Sequence, residues 1–138
     1  MLVKATLTHM TTLESFPVLW NPKSYSVSRD HRFAAPAALS AHHSPLRLSV
    51  GGAERFFTRL FLDASAQIPP ERQDLRGLVD LLERWSDVQA GADLPPRLLF
   101  AWGSFRFRGH VEALRQEWTR FDADGTPVRA WVDLTLRR

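Results

Sequence analysis

The sequence contains no cysteine. Disulfides, thiolate nucleophiles and cysteine-based zinc sites are therefore excluded. A single domain of this length buries roughly two thirds of the surface its unfolded chain exposes, so it folds without a covalent or metal staple. Also missing is any apolar run near the ~20 residues of a membrane-spanning helix. Met1 to Met10 alternates polar and apolar residues rather than forming the core of a secretory leader. The expectation is a chain that is cytoplasmic at synthesis and does not insert in a membrane. Lysine is scarce too: of 18 basic residues only Lys4 and Lys23 are not arginine, and arginine favours contact surfaces over merely solvated ones.

A cationic excess is nearly lacking despite a pI of about 10.2, since the formal charge is only +3. Residues 1–69 carry seven basic and four acidic side chains, and residues 70–138 carry eleven of each. A phosphate-binding groove needs an unbroken basic stripe to release counterions from adjacent sites. Here Glu112, Glu117 and Asp133 interrupt the arginines. Catalytic patterns are also missing. His9, His31, His42, His43 and His110 show no metal-binding spacing. No serine sits in a Gly-x-Ser-x-Gly elbow; Asp122 and Asp124 belong to a turn sequence, and Gly51-Gly52 is not a phosphate loop. No enzyme activity, metal or cofactor is expected.

What is present is strand periodicity. In "LVKATLT", Val3, Ala5 and Leu7 alternate with Lys4, Thr6 and Thr8. A short apolar run then breaks at Asn21-Pro22 and gives way to a strand with Tyr25, Val27 and Arg29 on one side; the two segments read as a paired β unit. Residues 29–45 have no period and read as a long loop or arm. "LRLSV", Gly51-Gly52 and "ERFFTRLFLDA" predict a hairpin. Its second strand would bury Phe57 and Phe61 on one face and Phe56, Leu60 and Leu62 on the other. One helix is expected over about residues 74–86, capped by Asp74, with Leu75, Leu78, Val79, Leu82 and Trp85 inward and Asp80, Glu83 and Asp87 outward. Three strand segments follow: "RLLFAWGSFRFRGHV", broken near Gly103, then "EALRQEWTRF", then "PVRAWVDLTLRR" after the turn "DADGTP". The set predicts a mainly β, antiparallel sandwich or barrel with one flanking α-helix, a single domain over residues 1–138.

The alternation in "FRFRGHV" also fits a strand that stacks bases and grips phosphates. Scored against the RNA-recognition strand pattern, Arg108-Gly109 matches two places, while His110, Val111 and Glu112 fail the next three. Phe105 and Phe107 share a face with Val111, which assigns them to the core and turns Arg106, Arg108 and His110 outward. A single-stranded nucleic-acid-binding β-barrel stays as the alternative, and it requires both phenylalanines to be exposed. A small ligand-binding barrel would need an enclosed pocket.

Five segments, in order, resemble the tube domain of contractile injection systems, which are phage-tail-like particles. They are "LWNPKSYSVS" with Asn21, Pro22 and Tyr25; "LSVGGAERFFTRLFLDAS" with Gly51, Gly52 and Asp63; and "DLRGLVDLLERW". They continue with "LPPRLLFAWGSFRFRGHVEAL", holding Trp102, Gly103, Phe107 and Gly109, and "TRFDADGTPVRAWVDLTL", holding Phe121, Asp124, Gly125, Pro127 and Arg129. The resemblance implies a tail-tube-like fold and a structural subunit. Six such domains form a ring whose partners are copies of itself, a spike or hub protein and the inner-tube protein, with no specific nucleic acid. Baseplate members couple the domain to a small LysM-like module, and none is expected within residues 1–138. Arg29, Arg32, Phe33, His42, His43, Arg106 and Arg108 are the candidate subunit contacts.

Overall fold

The computed structural model describes residues 2–16, 18, 20–34, 48–50, 52–68 and 71–138, with residues 32–34 and 48–50 described as backbone only. Among these described residues, nine strands and one helix follow in chain order. They are β1 (Thr6–His9), β2 (Ser15–Phe16), β3 (Tyr25–Arg29), β4 (Arg32–Ala34), β5 (Leu48–Val50), β6 (Glu54–Asp63), α1 (Leu75–Ser86), β7 (Arg97–Trp102), β8 (Phe105–Phe121) and β9 (Pro127–Arg137). Seven strands form one antiparallel sheet in the order β2-β1-β7-β8-β9-β6-β3, and β4 pairs with β5 separately.

Strand β9 shows why the sheet forms. Val128, Ala130, Val132, Leu134 and Leu136 are all buried, while the alternate residues from Arg129 to Arg137 stay in contact with solvent. A period of two puts one set on each face. The buried set meets Phe56, Leu60 and Leu62 of β6 on one side, and Val111, Leu114 and Trp118 of β8 on the other. The sheet curls until its halves face each other: Phe56 of β6 and Phe100 of β7 are separated by two intervening strands, yet their rings lie 4.5 Å apart. Tyr25 on the edge strand β3 stacks on Phe105 of β8 at 4.3 Å. Strands β2 and β3 end the order without pairing, so the sheet is an open, sandwich-like fold and not a closed barrel.

Helix α1 closes the curl. The Asp74 side chain accepts from the Gly77 N–H at 3.2 Å, the expected N-cap. Leu75, Val79, Leu82 and Trp85 are buried, each burial contributing roughly 2 kcal/mol. Trp85 meets His9 edge-on with ring centroids 5.6 Å apart.

Five expectations are corrected. Residues 29–45, read as a loop or arm, hold the end of β3 at Arg29 and strand β4 at Arg32–Ala34 in their described part. The segments flanking Asn21-Pro22 do not pair with each other, because β2 pairs with β1 and β3 with β6. The Asn21 amide works through its side chain instead, accepting from Ala5 N at 2.8 Å and donating to Val3 O at 2.9 Å. Strand β5 does not form a hairpin with β6 either; it turns away to β4. At Gly52 the chain passes so close to Asp30 that a Cβ would stand 1.1 Å from its carbonyl oxygen. Strand β6 is buried on one face only: Phe56, Leu60 and Leu62 point inward, whereas Phe57 is 41% exposed. Finally, "FRFRGHV" and "EALRQEWTRF" form one strand, β8. Glu112 is taken up by a register shift between Val111 and Ala113, which returns Leu114, Gln116 and Trp118 to the inner face.

Candidate subunit-contact surface

The outward residues of β6, β9 and β8 form ion-pair rows across the sheet. In one row Arg55 bonds Asp30 at 2.9 Å and Glu112 at 2.7 Å, and Glu112 also faces Arg137 at 3.7 Å. In a second, Asp133 lies between Arg59 at 3.3 Å and Arg115 at 3.5 Å, and both arginines also reach Glu117. Arg129 meets Asp63 at 3.3 Å in a third. At the margin Glu54 joins Arg29 and Arg138. Exposed pairs contribute about 0–1 kcal/mol each, so these rows order the face more than they hold the fold.

Two carboxyls sense their partners. The Arg29 hydrogen bond holds Glu54 below the usual carboxylate range against the opposing effect of burial, with help from Arg138. Burial pushes Asp63 upward, but hydrogen bonds from Ser65 and Arg129 outweigh it and the net shift is down. A depressed folded pKa stabilises fully above the unfolded value and is lost as pH falls through the folded one. The melting temperature is therefore expected to stay flat down to about pH 5, then fall, with Glu54→Gln flattening part of the loss. Thermal unfolding followed by circular dichroism at pH 7, 5 and 3 checks this; a melting temperature that rises on acidification contradicts it.

The residues singled out in the sequence divide by role. Phe107 is buried and Phe105 packs half-buried against the core. Gly109 is pressed against Arg137, Pro22 is buried, and the Trp102 indole N–H donates to Val3 O at 3.1 Å. Gly103 and Gly125 have φ of 60° and 87°, the left-handed region that favours glycine in turns. Asp124 accepts from Thr126 N at 3.0 Å, fixing the turn between the exposed Phe121 and Pro127. Arg106 and Arg108 point outward on β8, and Arg106 bonds the carbonyls of Gly103 and Phe105. Arg32 and Phe33 lie in β4, with side chains not described. Gly51, His42 and His43 fall outside the described residues.

Sequence reasoning missed an open cleft of about 830 Å³ on the outer face, walled by Trp20, Lys23, Arg59, Phe61 and Trp131. Phe61 and Trp131 are cross-strand partners with centroids 4.6 Å apart, and the Arg59 guanidinium lies 4.5 Å over Trp131. The signal was the second alternating set on β6 and β9, which the two-sided burial assigned to β6 had placed in a core.

The nucleic-acid alternative loses its requirement, since Phe107 is 2% exposed. The Trp131 ring is already covered by Arg59, which in turn pairs with acids. Among the described residues no group of three or more histidine, aspartate or glutamate side chains could hold a metal ion, and no helix is long and apolar enough to cross a membrane. Residues 2–138 match the family model described as contractile injection system tube protein. No match is found among curated proteins.

Proposed function

Since the chain belongs to the contractile injection system tube protein family, and is on that footing a structural tube subunit, we propose that its copies close into a six-membered ring of the inner tube or baseplate. The ring connects a spike or hub protein to the stacked tube. The observation that carries this reading is the pair of sheet ends, β2 and β3, each of which has no strand on its outer edge among the described residues. Unpaired edges offer rows of backbone donors and acceptors. One end of the sheet differs from the other, so the contact is heterologous, and a heterologous contact that closes makes a ring. Arg29, Arg32 and Phe33 belong to or adjoin this margin, and Arg106 and Arg108 stand on the outer face. His42 and His43, which fall outside the described residues, join the contact set on the sequence reading of residues 29–45 alone.

The mechanism is mechanical: the ring templates the next layer and passes cargo when the sheath contracts. Electron microscopy and light scattering of the purified chain, alone and with its tube and hub partners, are expected to show six-fold rings. A strict monomer in every mixture overturns the proposal.

A further inference from the structure

We infer that the cleft beside Trp131 receives the loop between α1 and β7 of a second copy, in a contact made along the strand direction and additional to the sheet edges. This rests on the structural-subunit reading and names the surface that would join one copy end to end with the next. The cleft combines the Phe61 ring and the Trp131 ring under Arg59 with an exposed Trp20 and an exposed Lys23 that has no ion-pair partner among the described residues; the Asp63 carboxylate in its lining is paired with Arg129. An aromatic floor with an unneutralised cation fits an apolar segment that carries carboxylates.

The chain displays such a segment. Between α1 and β7, Val88 is 52% and Leu94 59% exposed, and the flanking Asp87 and Asp93 are exposed and without ion-pair partners among the described residues. The loop is shaped in advance. Asp87 N donates to Arg84 O, Ala92 N donates to Gln89 O at 3.0 Å, and Gly91 takes a φ of 82°. A preformed loop loses little conformational freedom on docking.

Position makes the contact directional. The loop ends at Pro95, whose carbonyl accepts from His110 at 2.7 Å, and His110 pairs with Arg137 near the end of β9. The cleft sits at Trp131, six residues back along the same strand and so about 20 Å away. Cleft and loop thus lie toward opposite ends of the strands and cannot meet within one molecule. Two copies that exchange them are related head to tail, so each copy keeps one of each available for the next.

The cysteine-free sequence makes the test clean. Lys23→Cys and Asp93→Cys chains, mixed under mild oxidation, are expected to form a mixed disulfide dimer at least tenfold more abundantly than either alone. Asp93→Lys is expected to raise the concentration needed for assembly by about threefold to tenfold, and adding Lys23→Glu in the same chain restores it. Both sites are exposed, so the fold is retained. Assemblies that form without the mixed cross-link, or an equal Lys23→Cys self-cross-link, overturn this contact and leave the ring proposal standing. Absence of both assembly and cross-link overturns the two together.

Discussion

Replacing Phe56 by alanine is expected to lower the stability of the chain by about 3–5 kcal/mol, the range for removing a fully buried aromatic ring. With roughly 3–5 °C per kcal/mol for a domain of this size, the melting temperature falls by roughly 10–20 °C. The ring is 0% exposed and lies within 5.8 Å, centroid to centroid, of Tyr25, Phe100, Phe105 and Phe107. Those neighbours come from β3, β7 and β8, so the cavity would open where the two halves of the curled sheet are closest. Phe57→Ala, one residue along and outward, supplies the control. It is expected to change the melting temperature by only a few degrees. Differential scanning calorimetry decides the matter: equal melting temperatures for the two variants would contradict the register of β6.

The second large effect is expected from one added methyl group. In Gly109→Ala the new Cβ would lie 2.6 Å from the Arg137 carbonyl oxygen, 2.9 Å from its carbon and 3.1 Å from the Phe107 ring. Two of those atoms are backbone of the last residue of the neighbouring strand, so relief requires the end of β9 to shift away from β8. Overpacking of this kind costs about 1–3 kcal/mol and more where backbone must move. The midpoint of urea unfolding is expected to drop accordingly, with its slope unchanged. Gly103→Ala meets no atom within 4 Å, and its cost comes from its φ of 60° alone, about 1 kcal/mol. If Gly103→Ala proves the more damaging of the two, the close approach of β9 to Gly109 is refuted.

Most of the longer strands and the helix were legible because their periods are strong. The alternation of Val128 to Leu136 gave both faces of β9, and Asp74 with its apolar stripe gave α1. Pairing was not legible. Period two says which residues share a face but not which strand lies alongside, and β6 finds its partners in β3 and β9 rather than in the adjacent β5. Phe57 and Phe61 misled for a related reason. Aromatic residues at a surface have the same composition as aromatic residues in a core, and only the curl of the sheet decides which side is filled. The cleft at Trp131 follows from that decision, so it could not be placed before the sheet was known. Asn21, Gly109 and Asp124 each fix backbone geometry, which a single sequence can display without revealing what the surface meets.

The sheet order also bears on how the protein is made. Strand β1 lies against β7, with Leu7 opposite Phe100, and β6 joins β8 only through β9. Strands emerging early from the ribosome must therefore wait for residues 127–137 before their apolar faces are covered. Pairings so distant in sequence form slowly and leave strand edges uncovered meanwhile. Slow closure of this kind lengthens the interval in which partly paired strands can associate with other chains.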